Sequence, residues 1–274
     1  MVHLEELLQV MRQTAHECGQ VMLHADRAQI HQQEKSSWRD LVTDYDIKIQ
    51  NMAVKRLEAS YPQADFLCEE GQKELRLDGA LLFIIDPIDG TANFRYDHHH
   101  SCISIACYSH GKAVAGVVYD PYLDELFHAV TGQGAYLNGE PIHVTELDLE
   151  HSLVLFGTSP FNPECVDETF ELVKDIYRKS MDVRRSGSGA LDLCALAAGR
   201  VGLFFEARLC AWDFAAGALI VEEAGGMCCD FFGRPLEIGL HKPSVLAGPR
   251  RNIHQSGILE RYGNANPARQ ANRS

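Results

Sequence analysis

Leu4, Leu7, Leu8, Met11, Ala15, Cys18 and Met22 fall at three- and four-residue steps, so the chain opens on an amphipathic helix. The polar stretch from Lys35 to Asp40 reads as a loop. A second helix is expected from about Asp44 to Ala59, with Ile47, Met52 and Leu57 inward, closing near Tyr61-Pro62. Strands are expected at Leu81–Ile85, Ile103–Tyr108, Ala113–Tyr119 and Glu125–Val130, and Asn138-Gly139 between two short strands signals a hairpin. After about residue 145 the texture becomes strand–helix alternation. Ser152–Phe156, Val201–Phe205 and Ser244–Ala247 read as strands; Glu164–Lys179, Leu191–Ala198 and Phe214–Ala224 read as helices. The pattern divides the chain into an α+β half, 1–145, and an α/β half, 146–262. Residues 263–274, rich in Asn, Ala, Arg and Ser without period, read as a disordered tail. Such an order of elements suits stacked helix and sheet layers.

With 274 residues, 46% hydrophobic and 23% charged, the chain is long enough to bury a substantial core. No apolar run reaches the length of a membrane span, and an acidic, amphipathic start is wrong for a secretory signal. Nine cysteines at irregular spacings, with no CxxC pair, point to a reducing cytoplasm rather than to disulfides or zinc. The formal charge of −13 repels nucleic-acid backbones and anionic membranes, so neither is expected as a direct partner. It equally repels a phosphorylated substrate, which would then need local positive charge.

The acids supply a reason for that charge. Leu81-Leu82-Phe83-Ile84-Ile85 is apolar throughout, as in a strand buried on both faces. It runs into Asp86-Pro87-Ile88-Asp89-Gly90-Thr91, where the proline is expected to end the strand. A second approach, Ala64 to Cys68, also ends in acid, at Glu69-Glu70. Two carboxylates about 4 Å apart repel by ~4 kcal/mol at an effective dielectric near 20, so such a cluster calls for a cation. Oxygen ligands without histidine favour magnesium over zinc. Turn chemistry alone also explains Asp and Gly at this position, but not the buried approach and the second acid. Gly90 and Thr91 would offer N–H groups to an anion at the start of a short helix.

Asp86-Pro87-Ile88-Asp89-Gly90-Thr91-Ala92-Asn93-Phe94 resembles the first signature of the inositol monophosphatase family. Trp212-Asp213-Phe214-Ala215-Ala216-Gly217, followed by Val221-Glu222-Glu223-Ala224-Gly225-Gly226, resembles the second. Asp40-Leu41-Val42-Thr43 with Asp46, Cys68-Glu69-Glu70, and Gly187-Ser188-Gly189-Ala190 ahead of Glu206 match in order, and the resemblance spans roughly residues 5 to 260. It implies a layered α-β-α-β-α sandwich, commonly homodimeric, that hydrolyses phosphomonoesters with two or three magnesium ions and is inhibited by lithium.

The same resemblance implies site residues. Glu69, Asp86, Asp89, Asp213 and the Ile88 carbonyl would hold metal, and Glu69 would thereby share in catalysis. Asp46 with Thr91 would orient or deprotonate the attacking water. Ile88, Asp89, Gly90, Thr91, Gly187, Ser188, Gly189, Glu206 and Asp213 would contact the substrate. Each has a plainer reading beside it. Asp213 before a helix is a good N-cap, Thr43 with Asp46 is a capping box, and Glu70 competes with Glu69. The mechanism implied is metal-assisted hydrolysis needing no serine or cysteine nucleophile, and there is no GxSxG elbow. His98-His99-His100 departs from the family pattern and suits a cleft rim or subunit interface better than a zinc site. Arg184-Arg185 and Arg250-Arg251 read as solvated or interface charges, with a phosphate contact as the alternative. The leading substrate is myo-inositol monophosphate. Fructose 1,6-bisphosphate, adenosine 3',5'-bisphosphate and NADP(H) are alternatives, and a different class of role is a regulatory partner of transcription machinery.

Overall fold

The apolar steps of the first segment close a helix because they form one buried stripe. In the computed structural model, which describes residues 3–35, 37–71 and 79–263, this is α1 (Leu4–Leu23), with Leu7, Met11, Ala15, Cys18 and Met22 buried. It is followed by a small antiparallel ribbon, β1 (Gln32–Glu34) and β2 (Leu41–Thr43), then α2 (Asp44–Ser60) and β3 (Asp65–Cys68). Next come β4 (Leu82–Asp89), a short α3 (Thr91–Arg95), β5 (Cys102–Ser109), β6 (Lys112–Asp120) and β7 (Glu125–Val130). The Asn138-Gly139 turn joins β8 (Ala135–Leu137) to β9 (Glu140–Ile142).

The second half runs β10 (Leu153–Phe156), α4 (Val166–Tyr177), β11 (Asp182–Arg184), α5 (Gly189–Ala197) and β12 (Leu203–Glu206). It continues with α6 (Ala211–Glu223), β13 (Met227–Cys229), β14 (Val245–Gly248), α7 (Arg250–Ser256) and α8 (Ile258–Gly263). Residues 264–274 of the expected tail lie outside the described residues.

These elements stack as a layered α-β-α-β-α sandwich. The helices α1 and α2 cover one face of a seven-stranded sheet ordered β3-β4-β5-β6-β7-β8-β9. α5 and α6 fill the space between that sheet and a five-stranded one, β11-β10-β12-β14-β13, whose outer face is covered by α4, α7 and α8. The middle layer explains why α5 and α6 are apolar nearly all round. One hydrophobic cluster unites residues from both sequence halves, from Leu67 and Leu82 to Phe214 and Val245.

β4 shows why its sequence has no alternation. Phe83 and Ile85 pack under α1 and α2, while Leu82 and Ile84 pack toward α5 and α6. The strand does not end at Pro87, as the sequence suggested. It resumes pairing with β5 at Asp89, and the register breaks between Asp86 and Asp89. An irregularity of this kind tolerates a residue with no N–H to donate. Ile47 is also not inward but 49% exposed; the buried face of α2 is Asp46, Ile49, Gln50, Ala53 and Leu57, with Met52 partly covered. No helix among the described residues is long and apolar enough to cross a membrane.

Candidate active site

The irregular end of β4 points two acids toward the middle layer. Asp86 Oδ1 accepts the Ile88 N–H at 3.0 Å, folding the strand around Pro87. Asp89 Oδ2 accepts the Ser188 hydroxyl at 2.6 Å and the Ala190 N–H at 2.7 Å, both from the start of α5. Asp213 comes from α6, and here the sequence reading needs correction. Helix α6 starts at Ala211, so Asp213 does not cap it from outside. It occupies the third helical position and reaches back to accept the Cys210 N–H at 2.8 Å. Carboxylate oxygens of Asp86, Asp89 and Asp213 lie within 4.8 Å of one another.

Burial pushes the Asp86 carboxyl well above its ordinary range, and the charges of Glu69, Asp89 and Asp213 push it further. Asp213 is raised well above its range in the same way, by burial and then by Asp89 and Glu69. Asp89 is raised by burial, though the Ser188 hydroxyl and the Ala190 N–H oppose the shift. A cluster of mutually repelling, hard oxygen donors fits a divalent cation of the magnesium type. Asp86, Asp89, Asp213 and Glu69 are the residues that would hold it.

Glu69, just past β3, lines the cleft, whereas Glu70 is not among the residues lining it. Lys35 spans the two, with Nζ 2.7 Å from Glu69 Oε1 and in contact with Glu70. A loop lysine has no period to betray it, so nothing in the residue pattern announces this pair. Thr91 Oγ1 lies 3.1 Å from Asp46 Oδ1 and 3.1 Å from the Ile88 carbonyl oxygen. Asp46 also takes part in the expected capping box: its Oδ2 accepts the Thr43 N–H at 2.8 Å and the Thr43 hydroxyl at 2.5 Å. The two readings of Asp46 are compatible, because one oxygen serves the helix start and the other faces Thr91. Burial raises its carboxyl to about 7.

The far wall of the cleft, which encloses about 470 Å³, comes from the second half. Glu206 closes β12 and is buried, accepting the Ser159 N–H at 2.8 Å, and burial raises it to about 7. Bare backbone at Gly157 makes this possible, since a Cβ there would overlap the Glu206 carboxylate. Gly187, Ser188 and Gly189 run along the cleft opposite Gly90 and Thr91. Asn93 ties the two sides together, donating from Nδ2 to the carbonyls of His100, at 2.8 Å, and Ser186, at 3.1 Å.

Two further charged side chains line the cleft, Asp192 and Arg185. Asp192, buried in α5, accepts the Ser186 hydroxyl at 2.5 Å and is raised well above its range by burial. Its signal was available: it is the one charge inside the apolar run Ala190–Ala198. Arg185 lines the cleft, as the alternative of a phosphate contact requires, and its charge opposes the upward shifts of Asp89, Glu206 and Asp192. Arg184 is the outer member of that pair and bridges to Asp182. The three histidines separate: His99 stacks on Tyr122 with ring centroids 5.1 Å apart and bonds Asp97, and His100 is half-buried. Cys228 and Cys229 are small buried strand residues facing opposite layers.

The fold and site together define a layered two-sheet sandwich with three carboxylates gathered at the end of β4 beside α5 and α6, a donor set that fits a divalent cation. Residues 3–264 match the model of the inositol monophosphatase family, and the chain belongs to that family. It is 37% identical over 226 residues to a Nus factor SuhB of Xylella fastidiosa, covering 82% of each chain. Among solved structures, an IMPase of Thermotoga maritima superposes with a TM-score of 0.83 at 31% identity, covering 95% of this chain and 99% of the other. An IMPase/NADP phosphatase complexed with Mg2+ and phosphate superposes with a TM-score of 0.83 at 25% identity, covering 96% and 97%.

Proposed function

We propose that this chain hydrolyses a phosphate monoester of a small polyol or sugar with magnesium as cofactor, and that myo-inositol monophosphate is the substrate it suits best. The observation that carries the reading is the convergence of Asp86, Asp89 and Asp213 from two distant segments onto one point. When bound there, magnesium would neutralise the ester's phosphate, favour ionisation of water and stabilise the leaving oxygen. The chain's own groups do the rest. Thr91 and Asp46 hold the attacking water, with Asp46 poised to take its proton. The N–H groups of Gly90 and Thr91 bind phosphate oxygens, the Gly187–Gly189 loop bounds the other side, and Glu206 accepts hydrogen bonds from ring hydroxyls. Nine unpaired cysteines support a reducing, cytoplasmic setting.

The test is phosphate release, with and without magnesium, over a panel of inositol, sugar and nucleotide phosphates. Fastest turnover of inositol monophosphate supports the substrate; turnover of a bisphosphate or NADP(H) in preference moves the chain to another branch of the same chemistry. The name carried by the Xylella relative favours a second reading, in which the chain binds transcription machinery. Absence of turnover on every ester, with retention by that machinery, would make the second reading the main one.

A further inference from the structure

Helix α5 crosses the middle layer with Leu191, Leu193, Cys194 and Leu196 buried, and one carboxyl lies among them. Asp192 is only 3% exposed. A carboxyl in such surroundings costs stability unless its oxygens find partners. Oδ1 has one, the Ser186 hydroxyl at 2.5 Å. Oδ2 accepts no hydrogen bond among the described residues, and it is not one of the side-chain atoms sealed in the interior without a partner. Asp192 lines the cleft, so this free oxygen is the one that opens there.

The neighbours indicate what that oxygen awaits. Glu206 is close enough for the two charges to act on each other, and Arg185 opposes the upward shift of both carboxyls. Positive charge is thus already supplied on this wall, and Asp192 is not one of the three carboxylates gathered at the end of β4. A hydroxyl suits the place, because it can donate to a carboxylate and accept from a carboxylic acid. Ser188, one turn earlier in the chain, bonds Asp89 in that cluster, which sets Asp192 ~6 Å further along the helix. That offset is on the order of the width of a polyol ring.

We propose that Asp192 is a specificity-determining residue for the polyol part of the ester, bonding a ring hydroxyl other than the one Glu206 binds. The inference rests on the reaction proposed above and adds to it a second reader of the ring.

Steady-state kinetics of the intact chain with magnesium test it. Asp192→Leu puts an apolar side chain of similar size in the place, whereas Asp192→Asn keeps polar atoms at both oxygen positions. Asp192→Leu should raise KM for inositol monophosphate about tenfold more than KM for glycerol phosphate. Asp192→Ala carries the same expectation where leucine disturbs the fold. Asp192→Asn should recover most of the loss, since a hydroxyl also accepts from an amide. Ser186→Ala removes the bond that Asp192 makes within the chain, so it should affect both esters alike. If Asp192 served only to anchor Ser186, the two substitutions would share one phenotype. Among singly deoxygenated inositol monophosphates, one should give wild type and Asp192→Leu the same KM, and a different one should do so for Glu206→Gln. Equal losses on both esters, the same selectivity in Ser186→Ala, or no such pair of analogues would overturn this inference alone. A wild type inert on inositol monophosphate would overturn the substrate reading and this inference with it.

Discussion

The Ser188 hydroxyl donates to Asp89 Oδ2 at 2.6 Å, a bond between the first turn of α5 and the end of β4. Ser188 also caps α5, accepting the Leu191 N–H at 3.3 Å. Ser188→Ala therefore removes a cap worth about 1 kcal/mol and one of the bonds that hold Asp89 in place. Both a lower melting temperature and a higher magnesium concentration for half-maximal activity are expected. Loss of stability with unaltered magnesium dependence would reduce Ser188 to a cap.

Asp213→Asn separates ligand from helix residue. The amide oxygen can still accept the Cys210 N–H, so the start of α6 survives. Removing one of several repelling charges should leave metal-free stability unchanged or raise it. Turnover should fall by orders of magnitude, each tenfold corresponding to about 1.36 kcal/mol. Near wild-type kcat in this variant would end the assignment of Asp213 as a ligand.

For Glu206, the useful comparison is between esters. Glu206→Gln should raise KM for inositol monophosphate more than for glycerol phosphate, because only the ring offers adjacent hydroxyls to the carboxylate. Gly157→Ala, which displaces the same carboxylate, should show the same discrimination. Equal losses on both esters would show that this wall does not read the polyol.

The pH dependence of stability without metal follows from the raised carboxyls. Folded Asp46 and Glu206 titrate near 7, and Asp86, Asp192 and Asp213 well above their ordinary range, so folded protein holds protons that the unfolded chain has released. Metal-free stability therefore rises as pH falls from 8 to about 6.5. Below that, His128, lowered to about 4 by burial, works in the opposite direction. Saturating magnesium should flatten the upper limb, since the ion replaces the protons. Melting curves at both ends of the window, with magnesium and with chelator, check the sign.

Lithium should inhibit at millimolar concentrations and yield little to added substrate. A small monovalent ion fits the same oxygens but gives the leaving group less charge stabilisation. Undiminished turnover in high lithium would count against the shared site.

Much of this architecture was legible because burial and chemistry coincide in the sequence. β4 declared itself through apolar residues on both faces, the hairpin through Asn138-Gly139, and α2 through Thr43 and Asp46. What escaped has physical causes. Cys210 is a poor capping residue, so nothing marked the start of α6 one turn early. Ile47 is apolar yet exposed, because the α2 face that meets the sheet is offset and includes polar Asp46 and Gln50. Lys35 meets its acids only through tertiary contact across the cleft.

The separation along the chain between Asp89 and its partners in α5 has a kinetic meaning. Hydrogen bonds across 99 and 101 residues bring the end of β4 to the start of α5, so loop closure of that length comes before any reward. Asp86, Asp89 and Asp213 come within reach of one another only in the folded chain, so an ion that needs all three would bind the native state and not the unfolded one. By mass action such an ion would draw the folding equilibrium toward the native state in proportion to its concentration above its Kd, a stabilisation written nowhere in the apolar core.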